Sequence, residues 1–425
     1  MKKTIALLLI LVLTASLCTG CAGRDEGSVY YLNFKPEADM AWQALAKTYT
    51  DRTGVEVKVF TAASGSYSNT LTAEMGKSDA PTLFQCGNEA DLEEWQAYCL
   101  PLDDTDFLKE MTTEDFNLKG EDGKTYCAGY CYEAYGIIVN DALLRKADHS
   151  ADEITDFASL QAVAQDITAR QDELGFAAFT SSGLDSSSAW RFSGHLANMP
   201  LFYEFRDRGV TEQPPELTGE YLDAYKNIWD LYINNATVSP DRLATATGDQ
   251  AEAEFGEGRA AFFQNGTWEY ATLTERYGME PEDLRMIPIY CGVPGEEEAG
   301  LCCGTENCWA VNAKASEADR QATLDFMKWV VTSDEGTRMM AEQFGPIPFR
   351  AAQESVNVLF NAANEYMSQG NYTVTWAFQL TPNTDTWRAG VVSALTAYSA
   401  GSGDWEAVRR AFADGWAQQY AIQHG

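Results

Sequence analysis

From Ser28 onward the apolar positions alternate between two periods. Ser28 to Phe34 (SVYYLNF) is a short apolar run suited to a buried strand. Trp42, Leu45, Ala46 and Tyr49 then recur at i, i+3, i+4 and i+7, one face of a helix that Gly54 ends. Val55 to Thr61 (VEVKVFT) alternates as a strand, Ser66 to Met75 reads as a helix, and Pro81 introduces another short strand that ends at Gln85. Strand, helix, strand, helix, strand predicts a parallel sheet with helices on its faces, and the ligands of such sheets sit at the carboxyl ends of the strands.

Those ends are the segments 33–37, 63–67 and 85–89, which carry Lys35, Ser64, Ser66, Tyr67, Gln85, Asn88 and Glu89. Singly, each is an ordinary turn residue. Their convergence on one sheet edge makes them candidate ligand contacts. Further along, Asp122-Gly123 is a hairpin-type turn between short strands, and Tyr135 to Asn140 is another strand feeding a helix.

The amino terminus has a different pattern. Lys2 and Lys3 form a positive region, and Thr4 to Leu17 is an apolar stretch of 14 residues, short for a membrane span. Cys18-Thr-Gly-Cys21 follows and resembles the bacterial lipoprotein signal, in which the cysteine after a small residue is lipidated; Cys18 stands where that pattern prefers Leu. The expectation is a signal peptide over 1–20 and a lipidated tether over 21–27, anchored through Cys21 to the outer face of the cytoplasmic membrane. An ordinary secretory signal is the alternative, and it too exports the chain.

Charge narrows the partners. Lys plus Arg number 30 against 63 Asp plus Glu, a formal net charge of -33, and no dense basic run occurs. Nucleic-acid affinity comes mainly from replacing counterions with Lys and Arg, so a nucleic-acid ligand is disfavoured. The three histidines, His149, His195 and His424, are too scattered for an HExxH or similar metal motif, and neither a metal nor a cofactor is expected. Eight cysteines lie beyond Cys21, and export permits disulfides among them in 105 pairings. Buried free thiols, or a zinc site using Cys127 with Cys131 or Cys302 and Cys303 with Cys308, are the other readings.

The stretch Glu121 to Asp148 (EDGKTYCAGYCYEAYGIIVNDALLRKAD) resembles a signature of the solute-binding proteins of ABC importers, in the family of maltose-binding and related sugar-binding lipoproteins. Ala128-Gly129 and Val139-Asn140 depart from the Pro and Tyr-Asn usual there. Four further motifs follow the family's order: Gly54-Val-Glu-Val, Ala80-Pro-Thr, Phe255-Gly-Glu-Gly-Arg-Ala-Ala-Phe-Phe-Gln-Asn-Gly-Thr-Trp268 and Phe326 to Glu335, with Gly345-Pro-Ile-Pro after them. Thr82 replaces the family's usual Asp.

The resemblance implies an α/β, two-lobed periplasmic-binding-protein-like fold of type II, each lobe a mainly parallel sheet flanked by helices, joined by hinge crossovers. It implies lobe 1 over 28–143 and 292–349 and lobe 2 over 144–291 and 350–425. It also implies a monomer that delivers its ligand to a permease and performs no catalysis.

A sugar has apolar C–H faces and a rim of hydroxyls, so its site needs flat aromatic surfaces and planar polar groups. The resemblance puts Trp268 and Trp387 at sugar-stacking positions, with Trp190 as a third candidate. It puts Tyr132-Glu133 and Asn88-Glu89 where carboxylates or amides meet hydroxyls, and Glu306-Asn307 lie at the return into lobe 1. Trp95, Trp229, Trp329, Trp405 and Trp416 fall on amphipathic helices and read as core. An oligosaccharide is the expected ligand. A polyamine or other small solute in the same fold, or less readily an exported glycoside hydrolase with paired carboxylates, is the rival.

Overall fold

The computed structural model describes residues 27–181, 183–345 and 347–425. The expected signal peptide, Cys21 and nearly all of the tether lie outside these residues.

The strands are β1 (Ser28–Asn33), β2 (Glu56–Thr61), β3 (Leu83–Cys86), β4 (Leu118–Lys119), β5 (Thr125–Gly129), β6 (Glu133–Asn140), β7 (Ala177–Phe179), β8 (Ala260–Gly266), β9 (Leu284–Ile287), β10 (Ala299–Gly304), β11 (Cys308–Val311) and β12 (Tyr372–Thr375). Among the described residues they form two sheets, ordered β2-β1-β3-β11-β5-β4 and β12-β10-β6-β8-β7, with β9 also paired to β6. Helices flank both sheets, so the chain is an α/β protein with two lobes.

The opening elements follow the periodicity. The helix Asp39–Thr53 buries Trp42, Leu45, Ala46 and Tyr49 and ends at Gly54, whose left-handed φ of 83° lets its N–H close on Thr50 O at 2.9 Å. Full burial of Trp42 between Tyr31, Trp309 and Phe344 contributes on the order of 2–3 kcal/mol to the first core.

Two expectations change. Both sheets are mixed: β1 runs parallel to β2 and β3, but β11 and β5 insert antiparallel, and in the second sheet β6 runs antiparallel to β8, β9 and β10. The returning chain is the reason, since β11 re-enters the first sheet from the other lobe. The chain also changes sheet earlier than Leu143 and later than Gly292. It leaves the first sheet between Gly129 and Glu133 and rejoins it between Gly304 and Cys308. β6 and β10 therefore belong to the second sheet, and their amino- and carboxyl-terminal ends meet at the junction, Glu133 opposite Gly304.

All eight cysteines of the described residues are buried free thiols. Strand alternation sends Cys302 and Cys303 into different cores, and Cys131 packs apart from Cys127, so neither zinc grouping read from the spacing converges. Trp229, Trp405 and Trp416 are core residues, with Trp95 and Trp329 packed partly buried at the edges of the first lobe's clusters. No described helix is long and apolar enough to cross a membrane.

Candidate functional site

A cleft of about 640 Å³ lies between the lobes, lined on one side by the segments after β1, β2 and β3 and on the other by residues of the second lobe. On the first side, Asn33 shapes the turn: its side chain donates to Lys35 O at 2.7 Å and accepts from Lys35 N at 3.0 Å. The turn carries Lys35 across to β6, where Nζ sits 2.5 Å from Glu133 Oε1. Glu37 Oε1 is 3.6 Å from the same ammonium, and the Trp268 ring centre 5.0 Å.

Glu133 is held from behind. Its second oxygen accepts from Asn307 Nδ2 at 2.6 Å, Asn307 Oδ1 accepts from Tyr130 OH at 3.3 Å, and Gln85 Nε2 donates to that hydroxyl at 3.0 Å. Gln85 Oε1 accepts from Tyr31 OH at 3.1 Å and from Phe34 N at 2.9 Å. A continuous buried polar chain thus joins β1 and β3 of one lobe to β6 of the other. Burial alone would lower the pKa of the Lys35 ammonium, but the charges of Glu133 and Glu37 outweigh it and push the pKa up.

On the second side the aromatic surfaces gather. Trp190, Trp268, Trp376 and Phe378 line the cleft with Phe34 and Tyr67 from across it. Trp190 and Trp268 lie 6.1 Å apart, and His195, stacked on Tyr135 at 3.8 Å, packs against both. Two glycines make this packing possible: a Cβ at Gly266 would stand 2.2 Å from the Trp268 ring, and one at Gly304 2.6 Å from the Trp376 ring. At the rim, Ser64 Oγ donates to Ser187 O at 3.0 Å, a direct contact between the lobes.

The acids of the cleft are shifted by their surroundings. Burial pushes the Glu306 carboxyl up to about 7, opposed by Arg388 and reinforced by Asp91. Burial also raises Asp91, opposed by the Gly87 N–H that donates to it at 2.7 Å. His195, buried beside Arg388, Arg191 and Lys35, is held neutral well below the usual imidazole range.

Glu306 carries a pH prediction. Its carboxyl ionises near 4.5 in the unfolded chain and near 7 in the folded one, so between these values the folded state keeps a proton the unfolded state has lost. Stability therefore falls as pH rises through that window. Because Glu306 is only partly buried, the expected contribution is about 1–2 kcal/mol. The Glu306→Gln variant should gain that much over the parent between pH 4.5 and 7 in denaturant titrations. Equal slopes in both proteins would remove Glu306 as the cause.

Among the residues expected from the sequence, Lys35, Tyr67, Gln85, Asn88, Glu133, Trp190, Trp268 and Glu306 line this cleft. Asn307 stands behind it, as the group that orients Glu133. Three fall outside. Glu89 is exposed on the first turn of the helix Glu89–Trp95, while Asp91 of the same turn faces the cleft. Tyr132 packs between Phe116 and Phe360 at the change of sheet. Trp387 is core, its Nε1 donating to Phe412 O at 2.9 Å. Trp376, Phe378, Arg388 and His195 are cleft residues that sequence reasoning missed.

The fold and the cleft together define a two-lobed α/β protein with an open cleft between its lobes. A family model described as bacterial extracellular solute-binding protein matches residues 44–358, and the chain belongs to that family. It is the solute-binding, non-enzymatic component of an ABC importer and works outside the cytoplasm. No curated protein sequence matches it.

Among solved structures it is similar to the solute-binding protein RafE in complex with raffinose, at 16% identity and a TM-score of 0.73 over 92% of this chain and 99% of that one. It is also similar to the GacH receptor of Streptomyces glaucescens, solved unliganded and with acarbose, at 18% identity and a TM-score of 0.69 over 93% and 98%. A sugar transporter from Bacillus licheniformis in complex with stachyose gives 16% identity and a TM-score of 0.68 over 92% and 100%.

Proposed function

We propose that this protein captures a carbohydrate, an oligosaccharide, in the interlobe cleft and delivers it to a membrane permease. The observation that carries the reading is the row of aromatic faces formed by Trp190, Trp268 and Trp376, set opposite the polar ends of β1 and β3. Ring faces supply dispersion contact to sugar C–H groups, and Asn88, Asp91 and Glu306 supply planar partners for hydroxyls. A cleft of about 640 Å³ has room for more than one sugar ring. The raffinose, acarbose and stachyose bound by the similar structures support the same class. Micromolar capture requires a net binding free energy of about -8 kcal/mol.

A polyamine is the second reading, favoured by one observation: the cleft's acids, Asp91, Glu306 and Asp385 among them, outnumber its cations Lys35 and Arg388. A thermal-shift screen of the mature protein with mono- and oligosaccharides, and with spermidine alongside, separates the two. Oligosaccharides should raise the melting temperature and be recovered unhydrolysed. A shift with spermidine alone would overturn the carbohydrate reading.

Anchoring through a lipidated Cys21 completes the proposal. Cys21→Ser should move the protein from the membrane fraction into the medium, and a variant that stays with the membrane would sink this part.

A further inference from the structure

Cys86, Cys99 and Cys127 form a cluster in the first lobe, apart from the aromatic cleft. Their sulfur atoms all lie within 4.8 Å of one another, and the three residues are 0%, 4% and 0% exposed. Leu32, Leu71, Phe84 and Leu92 pack in the same cluster, Cys99 Sγ donates to Trp95 O at 3.4 Å, and the Asp91 carboxylate acts on Cys86.

The sheet explains how they meet. β11 lies between β3, which carries Cys86, and β5, which carries Cys127. The pairing of Trp309 with Ala128, continued by one residue, sets Ala310 opposite Cys127. Cys308 stands opposite Cys86, so only small side chains of β11 face the two cysteines. Cys99 enters from the segment that bridges to Asn312, just beyond the end of β11.

Such a trio in an exported chain can close a disulfide or bind a metal ion. Two strand spacings separate the backbones of Cys86 and Cys127 by about 10 Å, beyond the reach of about 7 Å within which a disulfide closes. That pair cannot oxidise together without moving the sheet. Three converging thiols match what thiophilic cations seek, since soft thiolate ligands select zinc and copper(I). Zinc–sulfur bonds of about 2.3 Å place sulfurs about 3.8 Å apart, within the spread found here.

We propose that Cys86, Cys99 and Cys127 hold one thiophilic d10 metal ion, zinc(II) or copper(I), as a structural staple of the first lobe. Binding breaks the three S–H bonds, forms three metal–sulfur bonds and releases the protons to solvent, so it needs no oxidant. Its effect is to tie β3, β5 and the segment carrying Cys99 to one point beneath the helix Glu89–Trp95. The claim stands independently of what the cleft binds.

The test uses the mature chain, purified without oxygen and stripped of metal. Zinc(II) and, separately, copper(I) are titrated against competing chelators, with native mass spectrometry and thermal unfolding as readouts. One equivalent of one of these ions should bind and raise the melting temperature, and the preferred ion identifies the source. Replacing any one of the three by Ser should weaken that affinity about 100-fold or more, whereas Cys302→Ser, in the other lobe, should leave it unchanged. Cobalt(II) substitution, giving a thiolate-to-metal charge-transfer band, checks the ligands in the folded parent if a variant unfolds. Failure to bind either ion stoichiometrically, or a native protein lighter by two hydrogens from a disulfide using Cys99, would overturn the proposal.

Discussion

Replacing Trp268 by Ala should weaken ligand binding by one to two orders of magnitude, about 1.5–3 kcal/mol, while the protein stays folded. Trp268 is only partly buried and lines the cleft, with one face turned to Lys35. Trp387→Ala should do the opposite. That indole is 2% exposed, packs on Phe412 and Trp416, and donates to a backbone carbonyl, so its removal leaves a cavity costing about 3–5 kcal/mol of stability. The folded fraction should keep its affinity. Calorimetric titration with the best ligand of the screen, beside denaturant unfolding, reads both quantities. Unchanged affinity in Trp268→Ala, or a lost affinity with intact stability in Trp387→Ala, would reverse these assignments.

The contrast between those two tryptophans is also a measure of what the sequence could reveal. Both sit in motifs that suggest a stacking role, but successive residues of a helix differ by about 100° in direction. In the helix Thr384–Ser399 that rotation gives Trp387 to the core and Arg388 to the cleft. The same geometry separates Glu89 from Asp91. Period alone fixes which residues share a face, not which body that face meets.

Strand ends were far more legible. Lys35, Tyr67, Gln85 and Asn88 follow from the rule that parallel strands present their carboxyl ends to the ligand, because the first three strands and their helices have clear periods of two and 3.6. The change of lobe was not legible. β6 is buried along its whole length, and much of β5 is too, so no polar break marks the point where one sheet is left for the other. Trp376 and Phe378 were missed for a related reason. What admits the Trp376 ring is the missing side chain of Gly304, a residue distant in sequence and adjacent in space.

The Lys35→Met variant should lose about 3–5 kcal/mol of unfolding free energy, the largest effect expected of any exchange at the junction of the lobes. Lys35 and Glu133 are 5% and 3% exposed, so removing the ammonium leaves the carboxylate buried with Asn307 Nδ2 as its remaining close partner. The pair joins a turn of the first sheet to a strand of the second, and breaking it loosens the junction as well as costing stability. Glu133→Leu should cost a similar amount, for it strands the cation instead. The double variant Lys35→Met, Glu133→Leu should recover at least half of the loss, since two apolar side chains no longer need each other's charge. Since the folded state holds the Lys35 proton more tightly than the unfolded chain, the pair's stabilisation is full at neutral pH and fades only as pH rises beyond the ordinary lysine range. Denaturant unfolding of the four proteins at neutral pH completes the cycle. Strictly additive losses would mean that the two charges act separately, and the interlobe ion pair would then have no part in holding the lobes together.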